Sequence, residues 1–218
     1  LGPSGTATGL PVLWAHSGTA ALTNWAQENS ASEVNGPIPF VAAEGFTFNG
    51  TSQYLNTGVA IDDTYTDGGV TVLVWPGGAD QATGAAIMGD GASVIDANRD
   101  PDEAAIQGAV ANGTDVISIP ALGSMVGFTR KEPGSVDYIG HSPGGRGQVF
   151  TRTGLSNYPD RPMAIGANNA AGGIQDYYAG TPRACLFGKA MTSSQIAAAE
   201  VAFDAYFTRA IAAQAAEA

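Results

Sequence analysis

Basic side chains are missing from the first 98 residues of this 218-residue chain. All nine Lys and Arg lie at or after Arg99, against 20 Asp and Glu overall and a formal net charge of −11. Nucleic-acid binding draws affinity from basic groups that release phosphate counterions, and anionic membranes attract the same groups, so the sign of the charge excludes both partner classes. Cysteine occurs once, at Cys185, which rules out an internal disulfide and any cysteine-based metal cluster. In the run Ala184-Cys185-Leu186-Phe187 it reads as a small buried hydrophobe. His16 and His141 lack the neighbouring acid and nucleophile from which a triad is built. No run of about 18 apolar residues is present to span a bilayer. The opening Leu1-Gly2-Pro3-Ser4-Gly5 lacks a basic-then-apolar signal pattern, and with no initial Met the chain reads as a processed or trimmed piece. Charged residues make up 13% of the chain, against roughly 25% in an average globular protein.

Glycine is abundant instead. Thirty Gly and 12 Pro are scattered along the sequence, as in a chain of short strands joined by many turns, and a helical bundle is excluded on that pattern. One domain of this length suits an all-β sandwich. Residues 1–11 read as a flexible lead-in, and structure is expected from Val12, Leu13 and Trp14. Glu44 to Gly58 alternates in the strand manner, with Phe46 and Phe48 on one face, Asn49-Gly50 as a hairpin turn, then Tyr54 and Leu55. Val70 to Trp75 is a continuously apolar or β-branched strand stopped by Pro76. Shorter strands are predicted at Ala86 to Gly89, Ser93 to Asp96, Ala104 to Gly108, Val116 to Ile119, Met125 to Arg130, Val136 to Gly140, Gly147 to Thr151 and Met163 to Gly166. Turns about every ten residues are the mark of a sandwich or barrel.

Near the C-terminus the period changes. Thr192-Ser193-Ser194-Gln195 is a capping box. Ile196, Ala199, Phe203, Tyr206 and Ala210 then recur at three- and four-residue intervals, predicting an amphipathic helix that runs to about Ala216. Ile211 to Ala218 is expected to be a frayed tail or a link to a partner.

Three blocks carry a resemblance to the concanavalin A-like lectin and glucanase superfamily, with its laminin-G-like jelly rolls. Phe46 to Gly58 resembles the early hairpin, and Val70 to Trp75 the central strand ending in tryptophan. Met163-Ala164-Ile165-Gly166, Tyr177-Tyr178-Ala179-Gly180, Ala184 to Phe187 and the capped helix follow the family's closing order. The resemblance implies a two-sheet antiparallel jelly-roll sandwich over residues 12–191, with a C-terminal α-helix and tail over 192–218.

Each of these motifs is structural, so function has to be read from sites. The glucanase branch uses paired carboxylates on alternate positions of one strand. Here Glu103 has acidic neighbours at Asp100 and Asp102, but Pro101 between those two argues against a paired central strand, so the chain is read as non-catalytic. Ca²⁺ is held by oxygen ligands in loops of many superfamily members. Asp96, Asp100, Asp102 and Glu103 form the leading candidate set, with Asp62, Asp63 and Asp67 as a second; either is equally explained as a solvated acidic turn. For sugars, Asn168 and Asn169 in a loop from Gly166 to Gly173, with Tyr177 and Tyr158, offer amides and stacking rings, and the plain alternative is a turn beside core tyrosines. Asn49-Gly50-Thr51 and Asn112-Gly113-Thr114 match glycosylation acceptors and also read as Asn-Gly turns. The glycines of Ser142 to Gly147 lack the ending of a phosphate loop and suit a hairpin.

The expected function is a non-enzymatic recognition or display module, lectin-like and glycan-binding, on an extracellular or virion surface. The alternative is a virion structural protein, a capsid decoration or tail component, that meets neighbouring subunits or copies of itself through its termini. A glycoside hydrolase has the least in the sequence to carry it.

Overall fold

The computed structural model describes residues 7–9, 31–41, 45–60, 69–76, 85–91, 93–96, 103–108, 115–118, 125–130, 137–142, 146–151 and 161–217. Over these residues the chain is an all-β sandwich closed by one C-terminal helix. A six-stranded sheet runs β1 (Ala7–Gly9), β19 (Ala184–Lys189), β7 (Val70–Trp75), β12 (Val126–Arg130), β13 (Asp137–Ser142) and β14 (Arg146–Thr151). The second sheet runs β11 (Asp115–Ser118), β10 (Glu103–Gly108), β9 (Ser93–Asp96), β8 (Ala86–Gly89), β15 (Pro162–Ile165), β6 (Tyr54–Ala60) and β2 (Ser32–Val34). A hairpin of β16 (Asn168–Ala170) and β17 (Gly173–Gln175) joins it beside β8. Two small ladders pair β3 (Phe40–Val41) with β4 (Gly45–Phe46), and β5 (Phe48–Asn49) with β18 (Ala179–Gly180). Pairing within both main sheets is antiparallel, except that β16 runs parallel to β8 where Asn168 meets Gly89.

The period of two along the central strands separates two cores. From β7, Val70, Val72 and Val74 enter the space between the sheets, together with Val126 and Phe128 of β12 and Cys185 and Phe187 of β19. Leu55, Val59, Ile87, Met163 and Ile165 meet them from the second sheet. The alternate residues Leu73, Trp75, Ala184 and Leu186 face the other way and pack under the helix α1 (Ser193–Glu217) with Ile196, Phe203 and Phe207.

The capping box forms as expected. Gln195 N–H donates to Thr192 Oγ1 at 3.3 Å, and Thr192 N–H donates to Gln195 Oε1 at 2.8 Å. The buried face differs from the predicted one: Ile196, Glu200, Phe203 and Phe207 are buried, while Tyr206 and Ala210 are half-buried beside them. The helix runs to Glu217, about where the Ala-rich run without Gly or Pro is expected to carry it, and residues 211–213 are exposed rather than part of the core.

Two further expectations are corrected. Within the stretch 1–11, Ala7–Gly9 is paired to Gly188 and Phe187 of β19, so part of the expected lead-in is a strand. Asn49-Gly50 does not close a hairpin, because β5 before it pairs with β18 while β6 after it pairs with β2 and β15. Phe46 and Phe48 do share a face and are buried. The segments at 12–14, 62–67 and 112–114 lie outside the described residues.

Candidate functional site

The turn after β5 gathers polar groups at one end of the second sheet. Asn49 Oδ1 accepts the backbone N–H of Thr51, Ser52 and Gln53 at 3.0, 3.1 and 3.2 Å, fixing a tight loop that sequence alone presents as a hairpin turn. Across from it lies the turn that follows β2. There Asn35 Nδ2 donates to Ser52 O at 2.8 Å, and Gln53 Nε2 donates to Pro37 O at 3.0 Å. Tyr54 opens β6 directly beyond this loop, paired to Val34. Its phenol is raised above the ordinary 10.0, first by burial and then by the charge of Tyr177 nearby. Tyr177 reaches this position because residues 176–178 cross the end of β8: Ala86 N–H donates to Asp176 O at 2.7 Å, and Tyr178 N–H donates to Gly166 O at 2.9 Å. The loop 49–53 and the turn at Asn35, with the half-buried Tyr54 and the Tyr177 segment that leads into the Ala179–Asn49 pairing, make one rim, and the exposed Asp176 beside it in sequence accepts from Asn168.

Asn168 and Asn169 sit in the β16–β17 hairpin rather than in an open loop, and each is tied inward. Asn168 is 6% exposed, and its Nδ2 donates to Asp176 Oδ2 at 3.3 Å. Its Oδ1 lies against Gly89, where an added Cβ would come to 2.9 Å, so only glycine in β8 admits the strand this closely. Asn169 Nδ2 donates to Pro162 O at 2.8 Å. Arg161 Nε is shared between Asp90 O and Asn169 O at 3.0 and 3.1 Å, which pins the hairpin to the end of β8. Asn168 thus holds Asp176 from a buried position, while Asn169 and Arg161 are half-buried and hold the hairpin.

Of the other sequence-derived candidates, Tyr158, Asp100 and Asp102 lie outside the described residues. Asp96 ends β9 and Glu103 begins β10, both in laddered strands, with Asp96 opposite Ala105 and Glu103 opposite Ser118. Among the described residues no group of three or more His, Cys, Asp or Glu gathers in a way that could hold a metal ion. None of the described helices is long and apolar enough to cross a membrane.

Sequence reasoning missed Tyr54, Gln53 and Asn35 as members of the rim. The available signal was the pair of Asn-Gly dipeptides, Asn35-Gly36 and Asn49-Gly50, which mark two turns without saying that they meet. Chemically the rim offers phenols, amide oxygens and one carboxylate, groups suited to hydrogen bonding and stacking.

No family model matches the chain, and no curated protein matches it in sequence. Solved structures do share its fold. Domain 4 of AbnA, an extracellular arabinanase of Geobacillus stearothermophilus seen in complex with arabinotriose, is similar over 91% of this chain and 100% of that one, with a TM-score of 0.59 at 12% identity. The botulinum neurotoxin serotype D binding domain is similar over 90% of this chain and 52% of that one, with a TM-score of 0.54 at 10% identity. The NanB sialidase of Streptococcus pneumoniae reaches a TM-score of 0.50 at 13% identity, over 74% of this chain and 28% of that one. The chain thus spans the whole of the arabinanase domain, but about half of the toxin chain and a quarter of the sialidase.

Proposed function

We propose that this chain is a non-catalytic carbohydrate-binding module that works outside the cell, with the Tyr54–Tyr177 rim as its sugar-binding surface. The observation that carries the reading is that the pairing of Ala179 with Asn49 brings the half-buried Tyr177 segment to the fixed polar loops from which the half-buried Tyr54 emerges. Rings flanked by hydrogen-bonding groups are what a sugar needs, since its C–H faces stack while its hydroxyls pair. The likeness in fold to an arabinanase domain holding arabinotriose supports a binding role. Asn168 enters as the residue that holds Asp176, Asn169 as one that holds the hairpin, and Tyr158 as a further ring.

The test is isothermal titration with arabinotriose and a glycan array, using wild type, Tyr54→Ala and Tyr177→Ala. Losing one stacking ring is expected to weaken binding about tenfold, or about 1.4 kcal/mol. Wild-type protein that retains no glycan overturns the reading.

A structural role through assembly on neighbouring subunits, as on a virion, has one observation in its favour. Beyond Phe207 the helix leaves the sandwich, and Ile211 is 51% exposed. On that reading, deleting residues 211–218 lowers the sedimentation coefficient of the wild-type assembly, and an unchanged value removes the support.

A further inference from the structure

Asn-Gly dipeptides occur at Asn35, Asn49 and Asn112, and the first two fall on the rim, while Asn112 lies outside the described residues. The dipeptide is chemically labile, because glycine carries no Cβ to keep its backbone nitrogen away from the side-chain amide of the residue before it. The two described copies are held very differently.

Asn49 is fastened on both sides. Its Oδ1 accepts the backbone N–H of Thr51, Ser52 and Gln53, and its Nδ2 donates to Ser52 Oγ at 3.2 Å. Its backbone lies in the β5–β18 ladder opposite Ala179, and a Cβ on Gly50 would come to 2.7 Å from the Cβ of that alanine. Turning the Asn49 amide carbon toward the Gly50 nitrogen breaks these bonds and disturbs a paired strand. Asn35 stands just past the last pair of β2, Val34 with Tyr54. Asn35, Gly36 and Pro37 are all exposed, and a Cβ on Gly36 would meet nothing within 4 Å. Asn35 also has φ 65°, a left-handed conformation that a residue with a Cβ holds at some cost, so leaving it is easy. Among the described residues its side chain has a single tie, Nδ2 donating to Ser52 O at 2.8 Å.

From this contrast we infer that Asn35-Gly36 is a site of spontaneous covalent modification in the folded protein, with water as co-reactant, and that the fold shields Asn49-Gly50 from the same reaction. The Gly36 nitrogen attacks Cγ of Asn35 and gives up its proton, the Cγ–Nδ2 bond breaks, and the departing nitrogen takes up a proton and leaves as ammonia. The product is a cyclic imide. Water then adds to one of its two carbonyl carbons and breaks that carbon's bond to the ring nitrogen, leaving an aspartyl residue or an isoaspartyl one in which the chain runs through Cγ; nothing is oxidised or reduced. Either product has exchanged an N–H donor for a carboxylate. A carboxylate facing Ser52 O can only accept, so the bond from the β2 turn to the loop 49–53 is lost, while Gln53 Nε2 still donates to Pro37 O. This reactivity does not depend on what the rim binds.

The experiment incubates the whole chain, warm and at mildly alkaline pH, where the attacking nitrogen loses its proton more readily, beside a parallel sample unfolded in guanidinium chloride. Cleavage after glutamate puts Asn35 in the peptide from Val34 to Glu44 and Asn49 in the peptide that begins at Gly45, so mass spectrometry reads the replacement of NH₂ by OH at each. Folded protein is expected to convert several-fold faster at Asn35 than at Asn49, and unfolding to bring the two rates together. Equal rates in the folded protein, or faster conversion at Asn49, overturn the inference. A ratio that unfolding leaves unchanged overturns the shielding by the fold. Asn35→Asp supplies one product directly and keeps a residue type that tolerates positive φ. It is expected to speed hydrogen exchange at the backbone amides of Thr51, Ser52 and Gln53, and unchanged exchange overturns the loss of the tie.

Discussion

Gly166 is a position where one methyl group should be costly on two separate counts. It adopts φ +84°, and a Cβ built on it would come to 2.5 and 2.6 Å from Cδ1 and Cε1 of Phe48, well inside the roughly 3.5–4.0 Å of carbon–carbon contact. The ring has little room to retreat, because Phe48 is 2% exposed and belongs to the core between the sheets. The backbone is held too: Gly166 N–H donates to Ile87 O at 2.8 Å, and its carbonyl accepts Tyr178 N–H at 2.9 Å. Gly166→Ala therefore combines two costs. Placing an L side chain in the left-handed region costs about 1–2 kcal/mol, and forcing a methyl into a packed core about 1–3 kcal/mol. The sum is about 2–5 kcal/mol, or roughly 4–20 °C in Tm for a domain of this size. Gly36→Ala separates the two parts, since Gly36 has φ +96° with nothing within 4 Å of its Cβ and should show the conformational cost alone. Urea denaturation at constant m reads the difference from the midpoints. Adding Phe48→Leu to Gly166→Ala should recover part of the excess, as coupling between touching residues requires. If Gly166→Ala costs no more than Gly36→Ala, or if Phe48→Leu gives no rescue, the steric account is wrong.

Phe203→Ala should release the helix, because its ring centroid lies 4.3 Å from that of the fully buried Trp75 and 5.8 Å from that of Phe207. The expected loss is about 3–5 kcal/mol in denaturation, with faster tryptic cutting at the exposed Arg209; an unchanged cutting rate counts against docking through this ring. Gln195→Ala breaks the capping box in an exposed turn and should cost about 0.5–1 kcal/mol, read as a small drop in urea midpoint. Burial pushes the Cys185 thiol well above its ordinary 9.0. Below that value the group contributes no pH dependence. Above it the unfolded chain releases a proton that the folded chain keeps, so stability falls with a slope approaching about 1.4 kcal/mol per pH unit. Cys185→Ala should flatten the alkaline limb by that amount, and in wild type the thiol should react with a disulfide reagent only on unfolding.

What the sequence revealed and what it hid divide along range. β7, β8, β9 and β12 were legible because Val70 to Trp75, Ala86 to Gly89, Ser93 to Asp96 and Met125 to Arg130 carry their strand signal within a few residues. The capping box was legible for the same reason. The partners of β5 were hidden, since Asn49-Gly50 signals a reversal locally while Phe48–Asn49 takes its hydrogen bonds from Ala179–Gly180. The rim was hidden likewise: Tyr54 and Tyr177 are far apart in sequence, and only the strand order of the second sheet and the crossing at Ala86 bring them together. On the helix an apolar count passes over Glu200, so the predicted face ran through Tyr206 and Ala210 while the buried row turned through Glu200 to Phe207.

The same packing bears on the choice of the rim as the proposed binding surface. All six residues of β7 are buried, and the continuous run Val-Thr-Val-Leu-Val-Trp is what a strand covered on both faces reads like. The outer face of the six-stranded sheet is apolar at Leu73, Trp75, Ala184 and Leu186, so α1 covers it there, and those positions on β7 and β19 are closed to a ligand. In the second sheet β8 is buried along its length, with the β16–β17 hairpin held at its end by Arg161 and by the Asn168–Gly89 approach. Along β6, by contrast, Tyr54, Asn56 and Gly58 are half-buried or exposed while Leu55, Thr57 and Val59 point to the core. The polar positions of β6 therefore lead to Tyr54, where the fixed loops and Tyr177 meet. A substitution that reopens the helix-covered face, such as Phe203→Ala, should then leave glycan retention at the Tyr54–Tyr177 rim within about twofold of wild type under native conditions, and a larger loss on the array would place the binding surface under the helix instead.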